Sequence, residues 1–161
     1  MAGLEEAVMD ILKVDNFRRA NPSAEFPRFT HLTPVECTQL RAAIADRIGL
    51  DRQIGSVALV DTLWATAEFV PDIDADNGFD LHSLISSRGL KSGADVLINW
   101  QRFDNIDRFA LSDLSKHFSD IWYPSSDDIE IFDASLEWFV FVRHDGRVKV
   151  LDRTLSRNQS L

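Results

Sequence analysis

The chain has 161 residues, 45% apolar and 27% charged, with eleven Phe and four Trp, which is the composition of one globular domain and not of a disordered or fibrous chain. A net charge of -9, from 17 basic and 26 acidic residues, argues against a nucleic-acid binder, because neutralising phosphates takes clustered Lys and Arg. The lone Cys37 cannot form an internal disulfide, the opening MAGLEEAVMDILK carries acids where a secretion signal is basic, and no apolar run approaches the ~18 residues of a membrane helix, so a cytoplasmic protein without a membrane partner is expected.

Leu4, Ala7, Val8, Ile11 and Leu12 fall at helical spacing, predicting a first helix that packs through this stripe. Pro22 and Pro27 then impose a loop up to Phe29, with Phe17, Phe26 and Phe29 as anchors. Thr33-Pro34-Val35-Glu36 is a capping box with proline at the first helical position. It predicts a helix to about Ile48, ended by Gly49, with Val35, Leu40, Ile44 and Ile48 on its buried face. Residues 56–70 fit a helix through Val57, Val60, Leu63, Trp64 and Ala67, although Val57, Leu59, Asp61 and Leu63 also alternate as a strand would. Residues 71–80 read as an acidic loop, and Asp80 as the cap of a short helix over residues 81–87 that Gly89 terminates.

The rest alternates strand and helix. Residues 95–101 place Val96, Ile98 and Trp100 on one face of a strand, and Ser112 is the expected cap of a helix with the stripe Leu114, Phe118, Ile121 and Trp122. A short strand is expected at residues 129–132, a strand apolar on both faces at 138–144, and a two-residue turn at Asp145-Gly146 that returns the chain over 147–151. The fold class is therefore α+β: N-terminal helices on a small, largely antiparallel C-terminal sheet, in one domain over residues 1–153 with a polar tail at 154–161.

Charge is unevenly distributed: residues 51–140 hold 17 acids and 6 bases, and neither 53–87 nor 117–142 contains any Lys or Arg. Asp72, Asp74 and Asp76 alternate as in a calcium loop, but Asn77 stands where the sharp turn needs Gly and Ser83 where a bidentate Glu belongs, so a solvated acidic loop is expected. Asp120, Asp127, Asp128, Glu130 and Asp133 could serve acid-base or metal-assisted hydrolysis. Alternation instead places Glu130 on a wet strand face, and carboxylates beside Ser125-Ser126 suit local backbone N–H groups. His144-Asp145-Gly146 reads as a turn and not as part of a triad, and Cys37 as a small core residue. No cofactor, metal site or catalytic residue is assigned. Trp122 and Tyr123, adjoining Pro124 and the acids that follow, are the aromatics an interface with a basic partner would use.

Trp122-Tyr123-Pro124 leading to Asp127-Asp128-Ile129, then Phe132-Asp133, Trp138 and His144-Asp145-Gly146, resembles the C-terminal part of small acidic bacterial proteins, some of them immunity proteins of toxin-immunity pairs. The resemblance covers about a third of the chain and implies a binding role without catalytic residues. An acidic inhibitor is steered quickly onto a basic toxin, such as a nuclease, and occludes its active site. The expected docking residues are Asp120, Trp122, Tyr123, Asp127, Asp128, Glu130 and Asp133, with Asp72, Asp74 and Asp76 as a second patch. The alternatives are a small metal-dependent hydrolase using Asp120, Asp127, Asp128 and Asp133, or a non-catalytic subunit of a larger assembly.

Overall fold

The computed structural model describes residues 2–154, without the side chains of residues 2–10 and of Gln101. Six α-helices and seven strands form an α+β fold: α1 (Ala2–Ala20), β1 (Phe29–His31), α2 (Pro34–Arg47), α3 (Ser56–Thr66), β2 (Glu68–Phe69), α4 (Leu81–Ser87), β3 (Asp95–Gln101), β4 (Asn105–Ala110), α5 (Leu111–Lys116), α6 (Phe118–Ile121), β5 (Ile129–Phe132), β6 (Trp138–Val142) and β7 (Val148–Asp152). The strands make one sheet, ordered β1-β4-β3-β5-β6-β7-β2, with every neighbouring pair antiparallel. It is larger than expected from the C-terminal half alone, because the N-terminal half supplies both edge strands.

The sheet is covered on both faces. Val96, Ile98, Ile129, Ile131, Trp138, Val140 and Val142 face Leu81, Leu84 and Ile85 of α4 with Leu114, Phe118 and Ile121 of α5 and α6. Leu97, Phe132, Phe139 and Phe141 face Cys37 and Ile44 of α2 with Leu59 and Leu63 of α3. Strand alternation sends successive side chains into opposite cores, so β6 is apolar throughout.

The same covering corrects one expectation: Glu130 shares its face with Phe132, under α3, and is 3% exposed and not wet. Local signals differ in how well they hold. Thr33 and Glu36 form the reciprocal capping box, and Gly49 follows α2 at φ +75°. Cys37, Ile44 and Ala45 are the buried residues of α2, however, and Val35 faces solvent. Asp80 caps α4 through the Ser83 N–H at 2.9 Å. Ser112 lies inside α5 and caps nothing; Ala110 precedes the helix, and the Leu111 N–H goes to the Ala94 carbonyl at 2.8 Å. In α1, Ile11 and Leu12 are half exposed and the buried residues are Lys13 and Phe17; Leu4, Ala7 and Val8 lie among the side chains outside the description.

Residues 143–146 close the β6–β7 turn with the Gly146 N–H on the Arg143 carbonyl at 2.8 Å. His144 and Asp145 are its central residues, and of the four only Gly146 has positive φ, +88°. That is the three-residue hairpin with a left-handed glycine, in place of the two-residue turn expected for Asp-Gly. Among the described residues no helix is long and apolar enough to cross a membrane. Beyond Thr154, the expected tail lies outside the described residues.

Candidate functional site

The acids singled out in the sequence do not form one surface. Asp127 is buried, with its Oδ2 accepting from Lys13 Nζ at 2.6 Å and from the Tyr123 N–H at 2.8 Å. Its carbonyl accepts from Trp122 Nε1 at 2.9 Å, which buries that indole against Phe118. Tyr123 is half-buried, with its ring 3.8 Å from Lys13 Nζ and its hydroxyl accepting from Asn16 Nδ2 at 3.2 Å. Asp133, at the far end of β5, is buried and holds the N–H groups of Gly93 and Ser135 at 2.9 and 3.0 Å. These groups hold turns and loops, by satisfying the local N–H groups of Tyr123 and Ser135 and the distant donors Lys13 and Gly93.

Asp120 lies 3.7 Å from His117 Nδ1, one helical turn away. Asp72, Asp74 and Asp76 are exposed; Asp74 caps a 3₁₀ turn, Ala75–Asn77, through the Asp76 N–H at 3.0 Å and accepts from Asn77 Nδ2 at 2.7 Å. Among the described residues no three His, Cys, Asp or Glu are placed to hold a metal ion. The hydrolase carboxylates are dispersed, with Asp127 in an ion pair and Asp133 in a turn.

A different constellation does converge. Helix α3, the β3–β4 turn, the start of β5 and the end of β6 enclose an open groove of about 520 Å³. Exposed carboxylates reach it from three separate elements: Asp61 from α3, Asp104 from the β3–β4 turn and Asp128 from the residues before β5. Arg102 is also on its wall, with Val57 and Val60 as apolar lining. Glu130 and Arg143 line its inner side, paired Oε2 to Nη1 at 3.0 Å with 4% and 12% of their side chains exposed.

A buried polar chain fixes this floor. Asn99 donates from Nδ2 to Glu130 Oε1 at 3.2 Å, and its Oδ1 accepts the Phe103 N–H at 2.9 Å. Phe103 inserts into the core between the strands and α2–α3, which forces Arg102 and Phe103 into left-handed backbone at φ +47° and +58°. For residues with a Cβ this costs roughly 1–2 kcal/mol each. Core burial of the phenyl and the Asn99 bond offset it, and the turn is left presenting Arg102 and Asp104 outward. Burial pushes the Glu130 carboxyl above its ordinary range, while Arg143 and Asn99 oppose that shift and Asp128 adds to it. Asp128 itself accepts from both the backbone N–H and Nδ1 of His144, at 2.8 and 2.9 Å, which aims the other imidazole nitrogen away from it.

Glu130 and Arg143 balance each other, so Asp61, Asp104 and Asp128 against Arg102 leave the groove an excess of negative charge. Concavity, negative rim and some apolar wall suit a cationic side chain or loop. Of the residues expected from sequence, only Asp128 and Glu130 line it; Asp61, Arg102, Asp104 and Arg143 on the groove were missed, as was Asn99 behind Glu130. No family model, no curated protein and no solved structure matches the chain. The resemblance to immunity-type proteins therefore rests on the quoted residues alone.

Proposed function

We propose that this chain is an acidic, non-enzymatic binding protein that docks a basic protein partner, acting as an immunity-type inhibitor that occludes the active site of a toxin. The observation that carries this reading is the convergence of Asp61, Asp104 and Asp128, from three elements, on one groove above a paired Glu130 and Arg143. Fixed carboxylates on a concave wall speed encounter with a cationic loop and select against an anionic one. The buried carboxylates Asp127 and Asp133 act behind this surface, by holding the loops at either end of β5.

The test is recovery of the partner from the native host on the tagged full chain. A basic protein should be retained and released as salt rises, and Asp61→Asn with Asp104→Asn should lose most of it while Asp72→Asn with Asp76→Asn keeps it. Retention of nothing, or retention indifferent to salt and to the groove variants, overturns the reading.

A further inference from the structure

We propose that Arg102 is the residue by which the groove selects its partner: it takes a carboxylate set between the basic side chains of the docked segment, so the segment that fits carries both signs and not cations alone. This deepens the docking reading of the groove and rests on it.

Among the described residues two cations line the groove, and one of them is committed. Arg143 Nη1 meets Glu130 Oε2 at 3.0 Å, and its guanidinium carbon lies 4.5 Å from the centre of a Trp64 ring. Arg102 is exposed, and its guanidinium makes no ion pair, hydrogen bond or ring contact with the described residues, although Asp61, Asp104 and Asp128 share the groove with it. Its place is fixed from behind. The adjacent Phe103 is 1% exposed, its N–H is on Asn99 Oδ1 at 2.9 Å, and the Nδ2 of the same Asn99 is on Glu130 Oε1 at 3.2 Å. One buried amide therefore ties the turn that carries Arg102 and Asp104 to the floor of the groove.

A guanidinium on the wall of a groove that takes cations opposes every segment that carries bases alone, because such a segment meets like charge there. A segment with an acid between its bases gives each wall group its opposite. The planar fork of Arg102 binds the carboxylate through two parallel N–H bonds, and Asp61, Asp104 and Asp128 take the flanking bases. Since the Arg102 guanidinium has no internal partner, no ion pair has to break before it is used, and the tied turn leaves less backbone to order on binding.

Two peptides test this: acetyl-Lys-Ala-Asp-Ala-Lys-amide, and the same peptide with Asn in place of Asp, which carries the greater positive charge. Each is added to the full chain in low salt, up to about 20 mM, while the amide resonances of the groove residues are followed. Wild type should bind the Asp peptide about threefold or more tighter in spite of its lower charge, and in Arg102→Gln the order should reverse. Asp61→Asn with Asp104→Asn should weaken both. A tighter Asn peptide on wild type, or an order that Arg102→Gln leaves unchanged, overturns the role of Arg102 and leaves the docking reading standing. Binding of neither peptide, or binding indifferent to the Asp61 and Asp104 exchanges, overturns the docking reading and this inference with it.

Discussion

Lys13 and Asp127 close a buried ion pair across 114 residues of sequence, Nζ to Oδ2 at 2.6 Å, joining α1 to the loop that enters β5. Lys13 also donates to the Ile121 carbonyl at 2.7 Å and lies over the rings of Tyr123 and Trp100. The ammonium therefore fastens the end of α6, the loop and the first helix at once. Replacing Lys13 leaves the Asp127 carboxylate buried without its counter-charge, and replacing Asp127 removes the carboxylate that the buried ammonium is paired with. Lys13→Met or Asp127→Asn is expected to cost about 3–5 kcal/mol in urea unfolding, and the double replacement less than the sum. Additive losses would show that the two groups act independently.

Gly146 combines a left-handed backbone with the closest approach of the acidic loop, since a Cβ there would overlap Asp74 Oδ1. The Ala75 N–H on the Gly146 carbonyl, at 2.9 Å, ties the same two segments. Gly146→Ala is expected to destabilise the protein by roughly 1–3 kcal/mol, from strain and from displacement of the loop. Hydrogen exchange should speed up at Ala75 and Asp76 as well as in the hairpin; a change confined to the hairpin would contradict the coupling.

For Glu130 the folded-state pKa lies above its ordinary 4.5, with burial as the leading cause. Between 4.5 and the raised value the folded protein holds a proton that the unfolded chain has released, so this group makes stability fall as pH rises through that window and then level off. Glu130→Gln removes the titration. Unfolding free energies measured against pH should show wild type losing ground to the variant from pH 4.5 upward, and parallel curves would refute the assignment.

Divalent cations probe the hydrolase alternative. With Asp127 neutralised by Lys13 and Asp133 capping a turn, Mg2+, Ca2+ or Mn2+ at millimolar levels should move the Tm by no more than about 1 °C. A rise growing with metal concentration and lost in Asp128→Asn would revive metal-assisted chemistry.

Where a signal is local, the sequence carried it. The Thr33 box, the Asp80 cap, strand β5 and the alternating core of β6 need no distant partner to be recognised. Strand β4 escaped because Asn105 and Asp107, both buried, occupy positions where alternation looks for apolar residues. Asp107 is satisfied there by Trp100 Nε1 and His31 Nδ1, both at 2.8 Å, from strands on either side. The β3–β4 turn has no glycine to announce its left-handed residues; the core insertion of Phe103 imposes them. Missing that hairpin meant missing Arg102 and Asp104. Glu130 was placed on the wrong side of a boundary for a related reason: period-two spacing tells which residues share a face, and only the docking of α3 decides whether that face is wet.

The edges of the sheet bear on how the chain assembles during synthesis. Its outermost strands, β1 and β2, are made early, yet their partners β4 and β7 come only after much of the intervening chain. Neither edge can pair when it first emerges, and α1 waits still longer for Asp127. Strand β1 must therefore wait for β4, and β2 until the last hairpin is released, so the two edges of the sheet can close only at different points of synthesis.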